Sequence, residues 1–131
     1  MSNYLNYIFV CMRGIKDEGT KNFSYIDVFD TLFISKENDF IWWSLCVGGS
    51  VYSNIDGSMK LEVTFVYPDG VTISPASTIA GDNVHKGQVY FTAGFPMIKF
   101  TQAGKYKLRV SLNGEELKGS NEFYFNVVKQ A

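Results

Sequence analysis

Two stretches of strict alternation constrain this chain more than any other feature. From Lys60 to Tyr67, the residues Leu61, Val63, Phe65 and Tyr67 fall on one side and Lys60, Glu62 and Thr64 on the other. From Lys105 to Leu112, the residues Tyr106, Leu108, Val110 and Leu112 oppose Lys105, Lys107, Arg109 and Ser111. A period of two belongs to a strand with one face buried and the other in water. Each stretch runs into turn chemistry. In Pro68-Asp69-Gly70 the proline presets φ and the glycine accepts a positive φ. Asn113-Gly114 is the strongest short hairpin signal. Gly and Pro recur at short intervals along the rest of the chain, the pattern of many short strands in a sandwich or barrel.

The other segments alternate less cleanly. Tyr4–Met12 and Phe40–Val47 are apolar on both faces, so both faces should be covered or lie at a protein contact. Ser24–Ile34 reads as one strand, with Asp30 out of pattern among Ile26, Val28, Leu32 and Ile34. Val71–Ile73 reads as a short return strand. Gln88–Ala93 and Met97–Phe100 read as two strands broken at Gly94-Phe95-Pro96, and Ser74–Lys86 as a long loop. Glu115–Leu117 begins the return after the hairpin, Gly119-Ser120 marks a bulge, and Phe123, Phe125 and Val127 line the last strand. Aromatic residues make up 16% of the chain, which favours strands over helices. The expectation is a mostly antiparallel, two-sheet, all-β sandwich of about eight or nine strands, with less than about one-tenth helix. Its expected core is Phe9, Ile26, Val28, Trp43, Leu45, Leu61, Val63, Phe65, Tyr106, Leu108, Val110, Phe123 and Phe125. The length of 131 residues fits a single domain over 1–131.

Composition narrows the chemistry. Hydrophobic residues at 46% against 19% charged exclude disorder as the resting state. A formal charge of −1 argues against nucleic acid and against an anionic membrane as partners. The residues Lys105, Lys107 and Arg109 then read as a solubilising, edge-protecting stripe. No phosphate-cradling glycine motif and no calcium loop is present. Cys11, Cys46 and His85 have no paired spacing for zinc, so no cofactor or metal is expected. His85, the one histidine, lies in the polar run Gly81–Gly87 and reads as a solvated loop residue. A small hydrolase would need it beside Cys11, Cys46 or a carboxylate. Asp27 and Asp30 fall on opposite faces of an uninterrupted strand, which argues against an acid–base dyad.

No Lys or Arg precedes Arg13, and Asn6 interrupts the first apolar run, so residues 1–12 read as a first strand rather than a secretory signal. The expected location is cytoplasmic. Cys11 and Cys46 lie inside apolar segments and read as reduced core thiols. A bridge between their strands is the alternative in an oxidising compartment. Trp42 and Trp43 are neighbours and face opposite ways in a strand. Either both pack inside, or one is exposed and forms a sugar platform or protein hot spot with Tyr4 or Tyr52.

The run Gly104-Lys105-Tyr106-Lys107-Leu108-Arg109-Val110 resembles the G-x-Y-x-φ-x-V strand of immunoglobulin-like sandwiches, φ being apolar. With Phe9-Val10-Cys11, Phe23–Asp30 and the Tyr67–Gly70 turn, the chain resembles a poorly characterised group of small bacterial immunoglobulin-like β-sandwich proteins of unknown function. That resemblance implies an immunoglobulin-like antiparallel sandwich in which Tyr106 bonds back to the preceding corner. The two-cysteine hallmark of such domains is not matched, since neither Cys lies in the Tyr106 strand. The expected function is a non-enzymatic protein-binding or assembly module, with a protein partner or self-association. The alternatives are a carbohydrate-binding module using Trp42, Trp43, Tyr4 and Tyr52, and, less favoured, a hydrolase using His85.

Overall fold

The computed structural model describes residues 3–20, 22–35, 41–118 and 124–130, and only the backbone of residues 35, 41, 42 and 130. Its elements are β1 (Tyr4–Lys16), β2 (Phe23–Phe29), β3 (Thr31–Ser35), β4 (Ile41–Ser53), β5 (Gly57–Val66), β6 (Ser77–Val84), β7 (Gly87–Phe100), β8 (Gly104–Leu112), β9 (Glu115–Glu116) and β10 (Tyr124–Gln130). They form two sheets. A four-stranded sheet has the order β2-β1-β4-β7, and a six-stranded sheet has β3-β10-β8-β5-β6 with β9 paired to β8. The fold is all-β, and no helix occurs among the described residues.

The alternating strands behave as their pattern dictates. Leu61, Val63 and Phe65 of β5 meet Leu112, Val110 and Leu108 of β8 in register, and all are buried. Phe65 sits at the centre, with ring centroids of Phe95, Phe100 and Phe125 at 5.1, 6.1 and 6.0 Å. Tyr106 is fully buried, and its hydroxyl donates to the Gln102 carbonyl at 2.7 Å while accepting from the Gln102 N–H at 3.2 Å. Burial pushes its phenol up to about 12, so it remains a donor at ordinary pH.

The corner beneath Tyr106 is tied to a second turn. The Asp69 carboxylate accepts from the N–H groups of Val71 and Thr72, each at 2.8 Å, from the Thr72 hydroxyl at 2.6 Å and from the Gln102 carboxamide at 2.9 Å. These donors hold Asp69 well below the usual carboxylate range. Because the folded value is depressed, the contribution to stability is complete above the ordinary range near pH 4 and disappears as pH falls through the lower folded value. Asp69→Asn is therefore expected to flatten the acid limb of a stability–pH curve measured by urea unfolding. An unchanged acid limb would remove this role.

Several sequence expectations are corrected. Ser24–Ile34 is two strands in two sheets. Asp27 adopts φ of 53°, and at Asp30 the chain crosses over, its carbonyl accepting from the Asn126 N–H at 2.8 Å. β3 then runs parallel to β10, which places Leu32 and Ile34 in the core. Asp27 also interrupts the alternation that put Ile26 and Val28 inside, and they stand 43% and 57% exposed. Ser74–Lys86 is largely β6, an edge strand held by backbone pairing to β5 rather than by an apolar pattern. Val71–Ile73 makes only a single bridge, Ile73 to Val66. Gln88–Ala93 and Met97–Phe100 belong to one strand, β7. Pro96 is accommodated there because the register against β4 shifts between Trp43 and Leu45, and β7 is a sheet edge that tolerates a missing N–H. Phe9 faces away from the core, and Trp43 is half-buried against it. Phe123 and the Gly119-Ser120 bulge lie outside the described residues.

Candidate functional site

The face of the four-stranded sheet turned away from the core carries an ordered set of side chains. Successive rungs across β1, β4 and β7 read Tyr4–Tyr52–Gln88, Tyr7–Ser50–Tyr90, Phe9–Gly48–Thr92 and Cys11–Cys46–Gly94. Alternation along β4 and β7 sends Leu45, Val47, Val51, Phe91 and Ala93 inward and leaves these residues outward. Tyr4 and Tyr52 stack at 5.3 Å, and Tyr7 and Phe9 at 6.1 Å. Beside the tyrosines lies a polar patch. The Asn6 carboxamide donates to Gln88 Oε1 and, at 3.2 Å, to Ser50 Oγ, and the Ser50 hydroxyl donates to Gln88 Oε1 at 3.2 Å.

The hairpin of β1 and β2 curls back over this face. A Cβ at Gly14 would lie 2.7 Å from Thr92 Cγ2 and 3.3 Å from Cys46 Sγ, although β4 separates β1 from β7 in the sheet. Tyr25 lies over Gly48, packs edge-on against Phe9 at 4.6 Å and directs its hydroxyl at the Phe91 carbonyl, 3.5 Å away. Burial raises the Tyr25 phenol, keeping it protonated. The curl covers one end of the sheet face and leaves a cleft beside it. This cleft, about 470 Å³, is lined by Tyr7, Asn22, Phe23, Tyr25 and Tyr90. Tyr7 and Tyr90 are 41% and 57% exposed, so their rings are open to a ligand. Lys16 stands 5.9 Å from the Phe23 ring centroid at the cleft end. Aromatic walls beside carboxamides suit a flat, polar-edged ring, which stacks on the former and hydrogen-bonds to the latter.

The other sequence candidates fall elsewhere. Trp42 pairs with Lys99 through its backbone, but its side chain lies outside the described residues. Trp43 packs toward the core, away from the cleft. Tyr4 and Tyr52 do come together, one rung from Tyr7 and Tyr90. His85 is exposed between β6 and β7, next to the sheet end where Gly87 meets Ser53. From Ser53 to Cys46 is roughly 24 Å of strand at ~3.4 Å per residue, so His85 and the thiols do not meet. No group of three or more His, Cys, Asp or Glu able to hold a metal occurs among the described residues. The basic stripe of β8 is engaged: Lys107 and Arg109 both reach Glu116 Oε1, at 3.9 and 3.4 Å. Tyr7, Phe23, Tyr25 and Tyr90 were missed. One signal was available: Gly48-Gly49 inside a strand marks a close approach, here of Tyr25 and Phe91.

No known protein family and no curated protein matches the chain. Among solved structures the fold is similar to part of the Pseudomonas fluorescens alkylpurine DNA glycosylase AlkC, solved bound to DNA containing an abasic site analog. The likeness has a TM-score of 0.52 at 9% identity and covers 96% of this chain but only 30% of the glycosylase. It overturns two expectations. A protein-binding or assembly module, with its sugar-binding and His85 hydrolase alternatives, is not what this neighbour points to. The exclusion of nucleic acid is withdrawn as well. That exclusion rested on a whole-chain charge sum, which is blind to the character of one face. Among the described residues no helix is long and apolar enough to cross a membrane.

Proposed function

We propose that this chain is a nucleic-acid-binding module that takes exposed, unpaired bases into the aromatic cleft of its four-stranded sheet. The observation that carries this reading is the open pair Tyr7 and Tyr90, backed by Phe23 and Tyr25, with the Asn22 carboxamide in the same lining. Base–aromatic stacking is worth about 1–3 kcal/mol per base and tolerates any sequence. Carboxamides add contacts to base edges. The fold neighbour's DNA-bound state supports the same class of ligand. We also infer binding rather than catalysis, because His85 stands apart from both thiols. An immunoglobulin-like organisation fits the Tyr106 corner, and a place in the bacterial group that the sequence resembles goes with it. A cytoplasmic location fits a nucleic-acid ligand.

The charge pattern makes the reading specific. Among the described residues, Lys16 shares the rung of Phe23 and stands at the cleft end, whereas Arg13 shares the rung of Ile26 on the opposite face of the hairpin. With about one phosphate contact at ~0.7 per phosphate, log K should fall against log salt with a slope near −0.7. The test is a fluorescence-anisotropy titration with single-stranded DNA, intact duplex and duplex containing an abasic site. Single-stranded and abasic DNA are expected to bind more tightly than intact duplex. Tyr7→Ala and Tyr90→Ala should each weaken binding roughly 5- to 150-fold. Failure of all three DNAs to bind, or duplex binding with a steep salt slope and no response to either tyrosine, overturns the proposal.

A further inference from the structure

Cys11 and Cys46 are directly opposite each other on adjacent antiparallel strands, and both side chains lie on the cleft-bearing face. Opposed residues in such a pair are about 4.5 or 5.5 Å apart at Cα, depending on the hydrogen-bond site. Both separations fall within the roughly 4.4–6.8 Å that a disulfide spans. Cys11 is fully buried and Cys46 is 8% exposed, and both are free thiols. The two thiols interact with each other through their side chains, so the two sulfurs already face each other. Gly14 of the curled hairpin closes the site from above, its Cβ position 3.3 Å from Cys46 Sγ.

We propose that Cys11 and Cys46 form a redox site, a cross-strand dithiol that closes to an intramolecular disulfide with a small disulfide oxidant such as glutathione disulfide. One thiolate attacks the oxidant sulfur and releases the first glutathione thiol. The second cysteine then displaces glutathione from the mixed disulfide. The protein loses two protons and two electrons, forming one S–S bond, and the oxidant becomes two thiols. Burial raises both thiols, Cys11 to about 12, so the thiolate is scarce in the folded state and closure is slow until the hairpin lifts or the chain refolds. The bridge would staple β1 to β4 one rung from Phe9 and Gly48, fixing the floor on which Tyr25 rests. This site does not depend on the nature of the cleft's ligand.

The test is refolding of the full chain from denaturant in glutathione redox buffer, with the same chain refolded in reductant as reference. The expected product is a monomer two hydrogens lighter, with a digestion-linked peptide joining Cys11 to Cys46 and native near-UV circular dichroism. Its Tm should exceed that of the reduced chain by at least about 5 °C, and dithiothreitol should reverse the shift. Cys46→Ala should refold in both buffers and show no such difference. A folded chain that keeps both thiols in the oxidising buffer overturns the proposal. So does bridging only between chains, or a bridged monomer that has lost its native near-UV signal.

Discussion

Tyr106→Ala is expected to lower the free energy of unfolding by about 3–5 kcal/mol, the range for truncating a large buried aromatic side chain. The ring is fully buried and lies between Tyr67 and Phe100, at 4.7 and 5.2 Å between centroids. Tyr106→Phe separates the polar from the apolar share. It keeps the ring and removes the hydroxyl, leaving both Gln102 backbone groups without that partner. A loss of about 1–3 kcal/mol is expected for the unsatisfied groups. Urea denaturation of both variants measures the two terms. A Tyr106→Ala cost below about 1 kcal/mol, within ordinary surface effects, would deny the ring its anchoring role.

Gly49→Ala should be the second severe substitution, at about 3 kcal/mol, the upper end for overpacking. Its new Cβ would lie 2.6 Å from the Tyr7 carbonyl oxygen and 2.7 Å from Phe91 Cζ. The carbonyl is backbone of a neighbouring strand, so relief requires β1 and β4 to move apart. Gly48→Ala is the informative contrast. The nearest atoms to its Cβ are ring ends, Tyr25 Cε1 and, at 2.9 Å, Phe9 Cε2 and Cζ. Those rings can swing away, so the fold should survive while the cleft changes shape. Thermal unfolding and oligonucleotide titration of the pair separate the two effects. Equal stability losses for both variants would contradict this account.

The contrast between core and cleft explains what could be read from the sequence. β5 and β8 were plain because each buries one face against a single neighbouring layer, and alternation records that directly. The Tyr106 corner was plain because its glycine, tyrosine and apolar residues are local. β6 was hidden because it pairs through its backbone at a sheet edge, and Gly81, Asp82 and Asn83, the last two at a register shift against β5, leave no apolar trace. The β2–β3 crossover was hidden because Asp27 and Asp30 disrupt an otherwise continuous pattern. The cleft depends on a tertiary curl that brings Phe23 and Tyr25 toward Tyr90, distant in sequence. The first strand's two apolar faces did signal a covering, and the chain supplies part of it through its own hairpin.

The parallel pairing of β3 with β10 has a consequence for how the chain is born. Within the described residues β3 has no other strand neighbour, and its partner residues 124–130 are synthesised roughly 90 positions after Ser35. At ~5–20 residues per second, Leu32, Phe33 and Ile34 wait about 5–20 s for the strand that completes their ladder. During that interval the nascent chain presents an apolar, unpaired edge of the kind that recruits other chains. Protection by ribosome-associated chaperones, or reversible docking of β3 on the half-built sheet, should therefore govern the yield of folded protein more than its final stability does.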